Sequence, residues 1–344
     1  MKIKNSVQSI SADISVVLMC VGILVACPMR IFQMLKNVDP ATGFYINYDS
    51  AMIIILYAVL ALVAVLILVL SYLSGRIPAS IAPKGRQVPL AITSLVFALT
   101  LFYDSVSKYF VGTQETATII QNTGSTSMIH HFRSLAAVLA GLYLIVLFIS
   151  YISGNELYKK VKILSLMPLF WTLARILERI TVVISIVRVS ELLFEICALV
   201  FLMMFFMSFA RVMSDVNSKG SMWSVIACGS VAAMFIMTFA VPRLMLTLTG
   251  NQESLVAGFP LNWADLGAVL FVLTFVVTSL RKGYSVEDVE KMNAEIEAAK
   301  ATEEKIQQAV SSVQTIAETG VVSQNGDVHF SSQSAVKDEE KTEN

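Results

Sequence analysis

Six charged side chains fall within an otherwise apolar part of the chain, and their residue types could do chemistry. They are Arg175, Glu178, Arg179, Arg188, Glu191 and Glu195. Charges inside a membrane-spanning segment are costly, so they usually face the interior of a helix bundle or a water-filled cavity. Three basic and three acidic residues give local neutrality. The group therefore fits two hypotheses: a structural ion-pair clasp, or a polar cavity that binds a charged solute or relays protons.

The spacing of these charges predicts how they pair. If the flanking helices form an antiparallel hairpin with its apex near Ser185, Arg179 lies opposite Glu191 and Arg175 lies opposite Glu195. Residues four apart share one helix face. The second pair would lie about 15 Å from the apex, which is about half of a hydrocarbon core of about 30 Å. We favour the clasp, because paired charges can exist solely to solve a burial problem.

Other charged residues carry weaker signals. Arg30, Asp104, Arg211 and Arg243 lie near the ends of apolar stretches. Side chains at such positions usually extend to the lipid headgroups, and we expect that here. His130 and His131 are adjacent, but two histidines without a third ligand do not predict a metal site, so we expect a surface role.

Enzyme motifs are absent from the sequence. It has no phosphate-binding glycine-rich loop with its lysine, no His-Glu-x-x-His and no Gly-x-Ser-x-Gly. The four cysteines lie within predicted spans, without Cys-x-x-Cys spacing. Leu24 to Cys27 has the form of a lipoprotein cleavage box, but the apolar run continues to Met34, which favours an ordinary first span. We expect no enzymatic activity, no cofactor, no metal and no nucleic-acid partner.

The elements that must position the charges are membrane-spanning helices. Apolar residues make up 56% of the chain, charged residues 15%, and the mean hydropathy is +0.71. A soluble domain has about 25% charged residues, so a soluble globular protein is excluded. Eight stretches approach the length of about 20 residues that a spanning helix needs. They are 14–34, 51–73, 88–111, 134–153, 163–184, 191–212, 222–246 and 263–280.

These stretches predict an all-α polytopic bundle over residues 14–280, after a cytoplasmic segment at 1–13. The fifth contains three charges and the eighth is short, so seven spans remain an alternative. One set of loops holds twelve Lys and Arg residues, and the alternate loops with their adjoining span ends hold six. Because cytoplasmic loops are enriched in basic residues, we expect both termini in the cytoplasm and the protein in the cell (cytoplasmic) membrane.

The composition changes after residue 280. Residues 1–280 hold 18 Lys and Arg against 12 Asp and Glu, whereas the remainder holds 7 against 13. Apolar or small residues then alternate at spacings of three and four, if Glu303 occupies one polar position in the series. This pattern predicts a cytoplasmic amphipathic or coiled-coil helix at 284–319. Its seam is formed by Val289, Met292, Ile296, Ala299, Ile306, Val310 and Val313. Residues 321–344 are polar and acidic, and we expect them to be disordered.

Together these features predict a multi-pass membrane protein embedded in the lipid bilayer. We favour a non-enzymatic component with an assembly or regulatory role, in which the helix at 284–319 pairs with itself or with a protein partner. The alternative is a transporter of a small solute or ion that uses the intramembrane charges. No internal repeat and no pair of interrupted helices is evident in the sequence, which weakens the alternative.

Overall fold

The computed structural model describes residues 2–41, 44–46, 51–73, 86–119, 124–155, 157–181, 189–214, 221–256 and 259–281, together with 294, 298, 302, 306 and 307. The chain divides into two compact units, Met1–Gly283 and Tyr284–Asn344. Within the described residues the first unit is helical, apart from its loops and one isolated bridge between Val38 and Tyr45.

The described residues of the first unit form eight α-helices. They are α1 (Lys2–Lys36), α2 (Ala51–Leu73), α3 (Val88–Ile119), α4 (Gly124–Ser153), α5 (Met167–Thr181), α6 (Val189–Met213), α7 (Ser221–Leu248) and α8 (Trp263–Arg281). All except α5 contain an apolar stretch long enough to cross a membrane. The predicted all-α integral membrane bundle is therefore confirmed at this level. The orientation of the termini stays a prediction.

The fifth predicted span, 163–184, is not one continuous helix. Leu157–Leu166 is a 3-10 segment that is interrupted at Val161, with φ −121° and ψ 49°, and α5 then covers only 15 residues. Pro168 lies in the first turn of α5, where its missing N–H is tolerated and its fixed φ favours a helix start. The described part of this helix extends about 22 Å, compared with about 30 Å for a hydrocarbon core.

The 3-10 segment and α5 together, which we call the fifth segment, nevertheless run antiparallel to α6. At one end, the Ser165 hydroxyl lies 3.1 Å from the Ser214 hydroxyl, just after α6. At the other end, Arg179 Nη2 lies 3.0 Å from the carboxylate of Glu195, near the start of α6. The chain therefore crosses from one end of the bundle, at Ser165, to the other end, at Arg179. Eight membrane crossings stay a prediction, and eight uninterrupted spans are not found among the described residues.

The core of the bundle lies around α7, which packs against α1, α2, α6 and α8. Aromatic side chains from α3, α6 and α8 fill the adjoining interior, with ring centroids 5.0 Å apart for Phe209 and Phe275. The outward faces are apolar instead of charged; Ile54 and Leu62 on α2 are 69% and 62% exposed. An apolar exterior is what lipid contact requires.

The second unit is described at five positions only. Ala294, Ala298, Thr302, Ile306 and Gln307 are helical and exposed. The Thr302 hydroxyl donates to the carbonyl oxygen of Ala298 at 2.8 Å. Ile306 is 58% exposed, and it is the one predicted seam residue that falls within these positions.

The remaining seam residues lie outside the described residues. They are Val289, Met292, Ile296, Ala299, Val310 and Val313. The segment 321–344 also falls outside them, so the coiled coil and the disordered tail both stay predictions.

Candidate functional site

Ten charged side chains meet near one end of the bundle, and we refer to them as the charge belt. They are Arg30, Asp104, Arg133, Arg175, Glu178, Arg179, Glu191, Glu195, Arg243 and Asp265. Seven of the eight helices contribute, all except α2. Five arginines balance five carboxylates, so the belt as a whole is neutral.

Helix direction agrees with the sign of the charge at five positions of the belt. Glu191 and Asp265 lie in the first turns of α6 and α8, whereas Arg179 lies in the last turn of α5. Arg30 and Arg243 also lie toward the C-terminal ends of their helices, α1 and α7. A helix carries partial positive charge at its N-terminus and partial negative charge at its C-terminus. These carboxylates and arginines therefore each lie at the favourable helix end.

The first group in the belt is built around Glu191. Arg30 donates to one oxygen of this carboxylate, and Arg243 Nη2 donates to the other at 2.6 Å. Arg30 Nη1 also donates to Gln33 Oε1 at 3.0 Å and to the Tyr45 hydroxyl at 2.8 Å. Two arginines share one carboxylate here, so this group carries one net positive charge.

The second group joins α5 to α6 and α8. Arg175 donates to both oxygens of Asp265, with Nη2 at 3.2 Å from Oδ2, and to Glu195 Oε1 at 3.0 Å. Arg179 also donates to Glu195 Oε1, through Nε at 3.1 Å. Such forked contacts use the planar geometry of the guanidinium group, which a lysine cannot reproduce. Two arginines and two carboxylates make this group neutral.

The third group joins α3, α4 and α5. Arg133 Nη2 lies 2.6 Å from Asp104 Oδ2, and Arg133 Nη1 donates to Glu178. His130 Nδ1 lies 3.2 Å from the other oxygen of Glu178. His130 is also the most solvent-accessible side chain in the group, at 33%. One arginine faces two carboxylates, so the group carries one net negative charge when His130 is neutral.

Aromatic rings pack against the guanidinium groups of the belt. The Phe259 ring centroid lies 5.1 Å from the Arg179 guanidinium and 5.5 Å from that of Arg243, so it bridges the first two groups. Trp171 packs under Arg175 at 5.2 Å. Each ring face interacts favourably with a cation and excludes water from it. The groups are thus parts of one packed region.

The structure brings some of the sequence-predicted residues together and separates others. Arg175 and Glu195 are in contact, as the hairpin spacing predicts. The predicted pair of Arg179 with Glu191 does not form, since Arg179 binds Glu195 instead. Arg188 lies outside the described residues.

Glu191 pairs with two arginines that the hairpin argument could not supply. They come from α1 and from α7, and α7 packs against α6. Arg30 and Arg243 were expected to extend to the headgroups, and so was Asp104. That prediction is wrong for all three, because their exposed fractions are 0%, 2% and 5% and each has an ion-pair partner. Arg211 is exposed, in agreement with the prediction.

Sequence reasoning missed Arg133 and Asp265 as members of the site. Both are charged residues close to the end of an apolar stretch, the same signal that was attributed to headgroup contact. The informative signal was collective: when successive spans alternate in direction, these span-end charges fall at the same end of the bundle. Together with the charges of α5 and α6 in the belt, their sum is zero, as burial in lipid requires.

The belt contains few free polar atoms to bind a ligand. Its side chains are at most 8% exposed, except that of Arg179 at 27%. Four buried atoms lack a hydrogen-bond partner within the described part of the chain: Arg30 Nε, Arg133 Nε, Arg243 Nε and Glu195 Oε2. Among the described residues, no cluster of three His, Cys, Asp or Glu side chains has metal-binding geometry.

Comparisons with protein-family models, with curated proteins and with solved structures found no match. The charge belt is therefore interpreted from its own geometry.

Proposed function

We propose that this chain is a non-enzymatic membrane component with an assembly or regulatory role, and that the charge belt clamps its bundle together. The observation that carries the proposal is the mutual pairing of the ten belt charges. Each arginine contacts at least one of the carboxylates, and each carboxylate contacts at least one arginine.

This pairing favours a structural role for the belt over a pathway. A solute or proton pathway requires charges that water or solute can reach, and intramembrane charges of that kind face a wet cavity. Nine of the ten side chains in the belt are almost fully shielded and already bound to one another. The bundle then acts as an anchor, and interaction with other proteins falls to segments outside it.

The segment 284–319 is the part of the chain best suited to such an interaction. Its apolar seam follows the spacing of a helix that buries one face against another helix. Ile306 in this seam is helical and 58% exposed, which leaves it available to a partner. Because the polar residues of this segment lean acidic, pairing with a protein is favoured over binding to an anionic membrane.

The experiment is affinity purification from native membranes of the full chain and of a truncation after Lys282, with quantitative mass spectrometry. We expect a stoichiometric protein, either a second copy or another chain, that is lost on truncation. A point variant sharpens the test: Ile306→Ser should weaken the association, whereas Ala298→Ser, at an exposed helical position outside the seam, should not. Equal recovery of every co-purifying protein with both chain lengths would contradict the proposal.

A carrier of a small solute or ion is the second candidate, and the partial exposure of one belt charge favours it. Intramembrane charges that line a pathway face a wet cavity. The short helix α5 carries three belt charges, and one of these, Arg179, is 27% exposed. Its partner Glu195 keeps one buried oxygen without a partner among the described residues.

Flux measurements in proteoliposomes test the carrier. If it operates, Arg179→Gln should abolish ion or proton flux while the unfolding midpoint changes little, because this side chain is partly exposed. Arg211→Gln, an exposed arginine outside the belt, is the matched control and should leave flux intact. Absence of flux for the unsubstituted chain across inorganic ions, protons and small organic ions would remove this candidate.

A further inference from the structure

The connection between α4 and α5 combines exposed lysines with exposed apolar side chains. The 3-10 segment Leu157–Leu166 contains three lysines and no acidic residue. Lys160 and Lys162 are exposed, and between and beside them Val161 and Ile163 are 39% and 79% exposed. Exposure of a large apolar side chain to water is unfavourable, so this surface fits a position where an apolar layer adjoins water.

Two arginines from neighbouring elements lie at the same end of the bundle. Arg86 lies beside Gly154, three residues before the segment. Its backbone nitrogen would be 3.7 Å from a Cβ added at Gly154. Arg211 is three residues before Ser214, whose hydroxyl lies 3.1 Å from that of Ser165 in the segment. Both arginine side chains are exposed. This basic surface lies at the end of the bundle opposite to the charge belt.

We propose that Leu157–Leu166 lies in the membrane interface and binds the headgroup phosphate of an anionic phospholipid. Ile163 and Val161 contact the acyl chains, while the ammonium groups of Lys160 and Lys162 reach the phosphate. A lysine can do this beside an apolar residue, because its aliphatic stem packs in the apolar layer and its charge extends to the headgroups. Arg86 and Arg211 add positive charge on either side.

The break in the fifth segment gives this surface its position. The segment is interrupted at Val161, it contacts α4 and α6, and its Ser165 lies beside Ser214 at the end of α6, so the chain between α4 and α5 lies at that end of the bundle. The flanking elements α4 and α6 are both long and apolar enough to span the membrane. A segment held between the ends of two such helices lies at the depth of the headgroups. Exposed basic and apolar residues together are typical of elements that lie in that layer.

The expected strength follows from the number of lysines. Each basic residue near an anionic membrane surface contributes about 1 kcal/mol, which corresponds to about a fivefold preference. Replacing both Lys160 and Lys162 by glutamine should therefore lower the preference for anionic over zwitterionic lipid about 25-fold. The inference does not depend on the assembly role, since it concerns a different surface.

The experiment uses the full chain in nanodiscs of phosphatidylcholine with increasing fractions of phosphatidylglycerol. Native mass spectrometry counts the phosphatidylglycerol retained per protein, and thermal unfolding in phosphatidylcholine alone establishes that each variant is folded. We expect retention by the unsubstituted chain and by Lys160→Arg/Lys162→Arg, and its loss in Lys160→Gln/Lys162→Gln. Lys36→Gln is the matched control, because Lys36 is exposed at the opposite end of the bundle. Excess inorganic phosphate should not displace the lipid.

Three results would overturn the proposal. The first is equal retention by the unsubstituted chain and the double glutamine variant. The second is an equal loss in the Lys36→Gln control, which would indicate a general charge effect. The third is full displacement by inorganic phosphate, which would mean that the lysines bind free anions and that the acyl chains contribute nothing.

Discussion

Replacing Glu191 by glutamine should be the most destabilising neutralisation of a carboxylate in the charge belt. Glu191 is the only carboxylate that contacts either Arg30 or Arg243 within the described residues. The substitution therefore leaves two buried arginines without a countercharge. By contrast, Glu195→Gln leaves Arg175 its contact with Asp265.

These contacts determine how much the free energy of unfolding should fall. Two unit charges about 4 Å apart attract each other by about 4 kcal/mol at an effective dielectric constant of about 20. Much of that attraction offsets the cost of removing the charges from water, so removal of one partner of a buried pair costs about 3–5 kcal/mol. We expect a loss in this range for Glu191→Gln. For Glu195→Gln we expect about 1–3 kcal/mol, because one of its arginines keeps a carboxylate.

A second substitution distinguishes charge pairing from simple damage to packing. In Glu191→Gln/Arg243→Gln only one arginine, Arg30, remains without a countercharge, and it still donates to Gln33. The double variant should therefore be more stable than Glu191→Gln by about 0.5–3 kcal/mol, although it carries more changes. Arg211→Gln, an exposed arginine outside the belt, should be close to neutral.

Equilibrium unfolding by sodium dodecyl sulfate in mixed micelles measures these differences, with tryptophan fluorescence as the probe. Trp171 packs 5.2 Å from the guanidinium of Arg175, so it reports on the belt directly. A double variant whose total loss of stability equals the sum of the losses in Glu191→Gln and Arg243→Gln would refute the pairing argument. It would mean that Glu191 and Arg243 stabilise the bundle independently of each other.

The remaining predictions concern packing and the edge of the belt. Gly267→Ala should destabilise the contact between α3 and α8 by about 1–3 kcal/mol, because the new Cβ would overlap Thr100 Oγ1 and lie 3.1 Å from Phe97 Cα. Adding Thr100→Ala should restore part of the loss. Equal unfolding midpoints for the single and double variants would argue against this steric overlap. His130→Ala should lower the free energy of unfolding by less than about 1 kcal/mol, since exposed ion pairs contribute little and Glu178 keeps its contact with Arg133. A loss above about 2 kcal/mol in the same unfolding assay would contradict this prediction.

The membrane-embedded bundle could be predicted from the sequence because its signal is local. The second span was predicted at 51–73, and α2 has the same bounds. About twenty apolar residues in succession suffice for such a prediction, whatever their neighbours are. The fifth predicted span, 163–184, differs from the structure at its start, because residues 163–166 belong to a 3-10 segment and α5 begins at Met167. Hydropathy does not register such a change in helix type.

The charge belt was predictable only where its partners are close in sequence. Arg175 and Glu195 are 20 residues apart, and a hairpin argument suffices to pair them. Arg175 also binds Asp265, which is 90 residues away, and Glu191 binds Arg30 across 161 residues. The packing order of the helices decides these long-range contacts, and hydropathy carries no information about that order. The local balance of charge could be predicted from the sequence, but the long-range pairs could not.

The two ends of the bundle carry different basic side chains, because each end accommodates charge near lipid in a different way. The belt uses arginine alone as its cation, since the guanidinium fork can hold two carboxylates at once, as Arg175 does. The opposite end exposes lysines such as Lys160 and Lys162. The belt is held by contacts inside the chain, whereas these exposed lysines take lipid phosphates as counterions in the contact that we propose. Changes in lipid composition should therefore act on the segment before α5 and leave the belt undisturbed.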